Sequence, residues 1–133
     1  MDFIKQLYQA ARQCRNYAYA PYSKFAIGAA IRSEADRIYT GCNVENVSYP
    51  CGSCAEAGAI STMIAAGSRQ IVEIMIVADT DNIVPCGNCL QKIAEFGTTE
   101  TLVHCADLNG NIKTYSLSQL LPINFNAKEV KNA

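Results

Sequence analysis

"SCAEAGAISTMIAAGSRQIVEIMIVAD" (residues 53–79) holds two kinds of element in succession, and their order decides the architecture. Ser53 followed three positions later by Glu56 matches a capping box, and Ala, Ile and Met then recur at helical period up to Gly67. The pattern predicts a helix opened by Ser53 and stopped by that glycine. "IVEIMIVAD" (71–79) is nearly all apolar, as a strand covered on both faces must be, so it belongs at the centre of a sheet.

Outward from this pair, Phe3, Ile4, Leu7, Tyr8, Ala11 and Cys14 sit at helical spacing and predict an amphipathic helix over residues 2 to about 18, closed before Pro21. "FAIGAAIRS" (25–33) and "RIYTGCNV" (37–44) are β-prone runs separated by "EAD", which suggests an antiparallel hairpin; residues 43–52 read as loop. Pro85 precedes a second helix, "CGNCLQKIAEF" (86–96), ended by Gly97. "TLVHCAD" and "NIKTYSL" are two further strands around the Asn109-Gly110 turn, followed by the short segment "SQLLP". The order helix, two strands, helix, strand, helix, two strands predicts one domain over residues 1–133, a three-layer α/β/α sandwich with a mixed, roughly five-stranded sheet. Both cysteine-bearing helices begin after strands or strand-linked loops, so their N-termini can meet at one sheet edge.

Composition limits the partners. Eleven basic and twelve acidic residues give a net charge of −1 with no long Lys/Arg run, too little positive field for a polynucleotide backbone. The N-terminal segment carries charges throughout, unlike a signal peptide, and no apolar run approaches a membrane span. The expectation is a soluble, cytoplasmic protein. Seven cysteines in such a chain point to metal binding, catalysis or burial rather than to disulfides. Cys14, Cys42 and Cys105 fall within apolar segments and read as core, and the sole histidine, His104, as structural.

That leaves Cys51, Cys54, Cys86 and Cys89. "PCGNC" puts Cys86 and Cys89 at i and i+3 in the first turn of a helix, and Cys54 opens the other helix. Helix N-termini favour thiolates, so three sulfurs from two helix starts could hold one zinc ion. Three thiolates leave a position for water and Glu56 is then placed to move its proton; a fourth from Cys51 closes the site and makes it structural. A redox pair or simple burial remains open at this point.

"C-A-E" followed by "P-C-G-N-C" resembles the two halves of the zinc-dependent deaminase signature. Further blocks, "AYAPYSKFAIGAAI", "GCNVENVSYP" and "LLPINF", are similar in order to the short, homotetrameric cytidine deaminases over about residues 17–125. The resemblance implies zinc held by Cys54, Cys86 and Cys89, and Glu56 as proton shuttle. It implies Asn43 and Glu45 on the ribose hydroxyl, Phe25 packed on the pyrimidine, and Ala55 offering backbone groups to the base. Phe125 corresponds to an aromatic donated across a subunit interface. The implied reaction is hydrolysis of cytidine, deoxycytidine or a modified cytidine to the uridine analogue and ammonia, in pyrimidine salvage. Alternatives are an aminonucleoside-antibiotic deaminase of the blasticidin type, another aminated-heterocycle deaminase, or a structural four-cysteine zinc module.

The chain departs from that family at two places. Short cytidine deaminases usually carry arginine directly after the catalytic glutamate and after the last ligand, where this sequence has Ala57 and Leu90. Three thiolates on Zn²⁺ leave a net −1, so the offsetting charge must come from elsewhere. The missing cations suggest a pocket that accepts a modified cytidine or another aminated heterocycle at least as well as cytidine. The lack of phosphate-binding arginines or a glycine-rich loop favours a neutral nucleoside over a nucleotide.

Overall fold

A computed structural model describes residues 2–130. The elements are α1 (Ile4–Arg15), β1 (Ile27–Ser33), β2 (Ile38–Cys42), α2 (Ala55–Ala65), β3 (Ile71–Ala78), α3 (Gly87–Phe96), β4 (Leu102–Ala106), β5 (Ile112–Ser116) and α4 (Leu117–Leu120), with 3₁₀ turns at Tyr49–Cys51 and Ala127–Glu129. The five strands form one sheet in the order β2-β1-β3-β4-β5, with the apolar strand at its centre as its composition requires. β3 and β4 are parallel, joined by the α3 crossover; the other pairs are antiparallel, so the sheet is mixed.

Successive residues of a strand point to opposite faces, and the core divides accordingly. Ala30, Met75, Val77 and Ala106 pack against Leu7 and Ala11 of α1. Ala29, Ile31, Ile74, Ile76, Val103 and Cys105 pack against Ala59 and Met63 of α2, Ile93 of α3 and Leu117 of α4. Each fully buried aliphatic side chain contributes about 1.5–3 kcal/mol, so burial binds both helical layers to the sheet. Two glycines let helices touch the strands: a Cβ on Gly28 would lie 2.0 Å from the Ala11 carbonyl oxygen of α1, and one on Gly41 would lie 2.2 Å from the Ala59 nitrogen of α2.

Four local expectations are revised. α1 stops at Arg15, because Tyr19 is drawn into a parallel bridge with Val44 and the intervening residues turn. Residues 43–52 are more ordered than a loop, holding that bridge, a second one between Val44 and Ser53, and a 3₁₀ turn. The capping box at Ser53 does not form: Ser53 exchanges backbone hydrogen bonds with Val44 (2.8 and 2.9 Å), so it is extended and the helix starts one residue later, with Cys54 as N-cap. Of the three cysteines read as core, Cys105 is buried while Cys14 and Cys42 are half-buried.

The predicted stop is in place, Gly67 taking a left-handed φ of 99° just past the C-terminus of α2. His104 is fully buried, its ring nitrogens bonded to Glu73 (2.7 Å) and Thr114 (2.8 Å), and Glu73 in turn pairs with Arg32 at 2.6 Å. Among the described residues no helix is long and apolar enough to cross a membrane.

Candidate metal centre and substrate cleft

β2 runs antiparallel to β1 and β1 antiparallel to β3, so β2 and β3 point the same way. α2 and α3 follow those strands and therefore start at the same sheet edge. Each has a cysteine with extended backbone at its N-cap, Cys54 on α2 and Cys86 on α3. Cys89, third in α3, is buried and its sulfur lies 2.6 Å from that of Cys54.

Glu56, in the first turn of α2, is 4% exposed and closes this group: the two sulfurs and a Glu56 carboxylate oxygen lie within 4.8 Å of one another. Released from the Ser53 box, the carboxylate faces the sulfurs. Soft thiolates beside a carboxylate are a donor set suited to zinc.

The electrostatics divide the group by role. Cys54 is pushed down to about 6, chiefly by the hydrogen bond from the Cys89 thiol, with help from the Ala57 N–H and the charge of Lys92. Cys89 is pushed up because it keeps the shared proton and is buried beside Glu56. Burial also pushes Glu56 up, the direction a carboxyl must move to give as well as take a proton near neutral pH.

Cys86 lies outside the 4.8 Å group, exposed at the start of α3, though its charge is felt by Cys89. Cys51 is exposed and its thiol turns to the Ser48 hydroxyl at 3.6 Å, which leaves the four-sulfur alternative without geometric support.

A cleft of about 530 Å³ opens beside Cys54, within the usual size of small-molecule sites, and Asn43, Glu45, Tyr22, Tyr49 and Ser53 line it. The Glu45 carboxylate accepts from the backbone N–H groups of Tyr22 (3.0 Å) and Ser23 (3.1 Å) and from the Ser23 hydroxyl. Those bonds, the Ser23 hydroxyl first, lower its pKa and fix its direction. The Asn43 amide accepts from the Ile27 N–H at 2.9 Å and donates to the Phe25 carbonyl at 2.8 Å, pinning the segment that carries Phe25. Each end of that amide retains capacity for one further partner.

Phe25 is half-buried, Ala55 is buried at the start of α2, and neither lines the cleft. Phe125 is 63% exposed and outside it; its carbonyl accepts from Gln91 of α3 at 2.7 Å, which ties the C-terminal segment to the metal-side helix. A second cavity, about 460 Å³, lies between the start of β3 and the end of α3, at the opposite sheet edge from the cysteines.

Sequence reasoning did not commit Tyr49 to the mouth of the cleft, where its ring lies 6.1 Å from that of Tyr22. It also missed Ser23, the partner of Glu45, and Lys92. Only Lys92 left a legible signal, its i, i+3 spacing from Cys89.

The family described as the cytidine and deoxycytidylate deaminase zinc-binding region matches residues 1–105. A cytidine deaminase of Sporosarcina psychrophila is 38% identical over 131 residues, covering 98% of this chain and 96% of that protein. One of Halalkalibacterium halodurans is 39% identical over 129 residues, covering 96% and 98%. The crystal structure of cytidine deaminase from Burkholderia pseudomallei superposes with a TM-score of 0.88 at 38% identity, covering 94% of this chain and 100% of that one.

Proposed function

Because this chain belongs to the cytidine and deoxycytidylate deaminase zinc-binding family, we propose that it hydrolyses cytidine, deoxycytidine or a modified cytidine to the uridine analogue and ammonia. The observation that carries the reading is the convergence of the Cys54 and Cys89 sulfurs with the buried Glu56 carboxylate at the start of two helices. Cys54 and Cys89, with Cys86 from the neighbouring N-cap, would hold zinc. When bound, the ion supplies Lewis acidity, lowering the pKa of a water molecule toward neutral.

The chain's own groups do the rest. Glu56 takes a proton from water and delivers it to the pyrimidine ring nitrogen N3 as the water oxygen bonds to C4; it then takes the remaining proton of the new C4 hydroxyl and passes it to the amino nitrogen as the C4–N bond breaks and ammonia leaves, and its raised pKa suits a group that must both accept and donate. Glu45, held ionised, accepts from a ribose hydroxyl, and Asn43 donates its remaining amide hydrogen to the same sugar. Phe25 packs on the base, Ala55 offers backbone polar groups, and the exposed Phe125 completes a neighbouring subunit's site in a homotetramer. The exposed, adjacent Tyr19, Tyr22, Val44 and Tyr49 support such subunit contact. One shared sheet supports a single domain, and the reading places the enzyme in cytoplasmic pyrimidine salvage.

An ultraviolet deamination assay combined with a native-mass zinc count tests this. Glu56→Gln is expected to keep zinc and lose turnover by about 10²–10⁴-fold. Cys51→Ser is expected to keep both zinc and activity; loss of metal and fold would favour the closed structural site instead. In a substrate panel, cytidine turned over far faster than every modified analogue would narrow the reading to the plain nucleoside.

A further inference from the structure

Three thiolates around a dication leave one excess negative charge in a partly buried site. The residues directly after Glu56 and Cys89 are Ala57 and Leu90, which carry none to oppose it. Several arginines are committed elsewhere: Arg12 to the Leu108 carbonyl, Arg15 to the Ala26 carbonyl, Arg32 to Glu73, and Arg69 to the Ile64 carbonyl.

Lys92 differs from them in place and direction. It sits three residues after Cys89 on α3, the spacing that puts two side chains on one helix face. Helical side chains lean toward the N-terminus, and the Lys92 ammonium does so far enough to donate to the Asn88 side-chain oxygen in the first turn. That is the end of a helix a cation normally avoids, because the free N–H groups already make it positive. A negative centre beside it accounts for the position.

We infer that Lys92, steered by Asn88, is the cation that offsets the excess negative charge of the thiolate zinc site. It is a positioning residue: it acts through the sulfurs and does not touch the substrate. The inference rests on the zinc reading above.

The test is zinc retention by the holoenzyme against a chelator across about pH 5–8, for the parent, Lys92→Met and Lys92→Arg, with circular dichroism confirming the fold. In acid the released thiols are neutral while the loaded site is negative, so a nearby cation opposes release there. A unit charge about 10 Å away at an effective dielectric of about 20 corresponds to somewhat more than a tenfold effect, and solvent screening of this exposed side chain reduces it.

Lys92→Met is therefore expected to hold zinc about five- to tenfold more weakly near pH 5.5, with its release midpoint moved to higher pH, and Lys92→Arg to stay within about twofold of the parent. Retention by Lys92→Met that matches the parent at every pH would overturn the role, as would an Arg variant no better than Met, which would mark lost packing rather than lost charge. A parent protein that binds no zinc would overturn the zinc reading itself, and this inference with it.

Discussion

Glu56 shows how one residue changes meaning with its neighbours. Three positions after a serine, ahead of an apolar helix, a glutamate has a purely local reason to exist. Ser53 is held extended by Val44, the cap passes to Cys54, and the carboxylate goes to the sulfurs. Glu45 is set by partners 22 and 23 positions away in sequence, Ser23 and Tyr22. Its folded pKa is depressed, by the Ser23 hydroxyl first, so the carboxylate is ionised above that pKa and lost as pH falls through it. Ser23→Ala removes that bond. KM is expected to rise by about three- to tenfold, as for a typical net hydrogen bond of about 1 kcal/mol at this exposed site, and its acid-side rise should begin at a higher pH than in the parent, with the zinc count unchanged. Steady-state kinetics from pH 4 to 8 on both proteins checks it.

At the scale of elements, the site depends on how closely α2 lies on β2. Gly41 makes that contact possible, since an added Cβ would meet the backbone of Ala55, Gly58 and Ala59 at 2.2–2.7 Å. Neither backbone can yield without moving the turn that carries Cys54 and Glu56. Gly41→Ala is expected to cost about 1–3 kcal/mol in denaturant unfolding and to weaken zinc retention, because overpacking shifts the helix. An alanine variant with parent stability and parent zinc content would show that the helix can re-seat itself. The same element also shows why a motif match is not a structure: the Ser-x-x-Glu spacing is correct, yet the strand bridge from Ser53 to Val44 outcompetes the local cap.

At the scale of the molecule, two helical layers share one sheet, and the face under α1 carries a polar network remote in sequence from the cysteine motifs. His104, Glu73 and Arg32 come from three neighbouring strands, and Glu73 accepts from both partners while 7% exposed at its side chain. Removing one member of a buried ionic network leaves the others unpaired. Glu73→Ala is expected to lose about 3–5 kcal/mol of stability while the protein that remains folded keeps its zinc stoichiometry. Unfolding curves and a metal count separate the two effects. The structural reading of His104 is thereby given a mechanism that the lone histidine in the sequence did not contain.

By itself the sequence determined the elements and their order: an apolar eight-residue strand at the centre, helices closed by Gly67 and Gly97, a hairpin around Glu34–Asp36, and two cysteine-bearing helix starts. These are legible because periodicity, burial and turn chemistry act over a few residues. Only the tertiary structure decided which sulfurs meet, which did not, and what surrounds them. The direction of β2 relative to β3 brings Cys54 to Cys89 across 35 positions, the Val44 bridge holds Ser53 out of the cap, and a lysine one turn along α3 bends back to Asn88 in its first turn. Charge and coordination act through space, and spacing along a chain fixes distance only inside one helix or one strand.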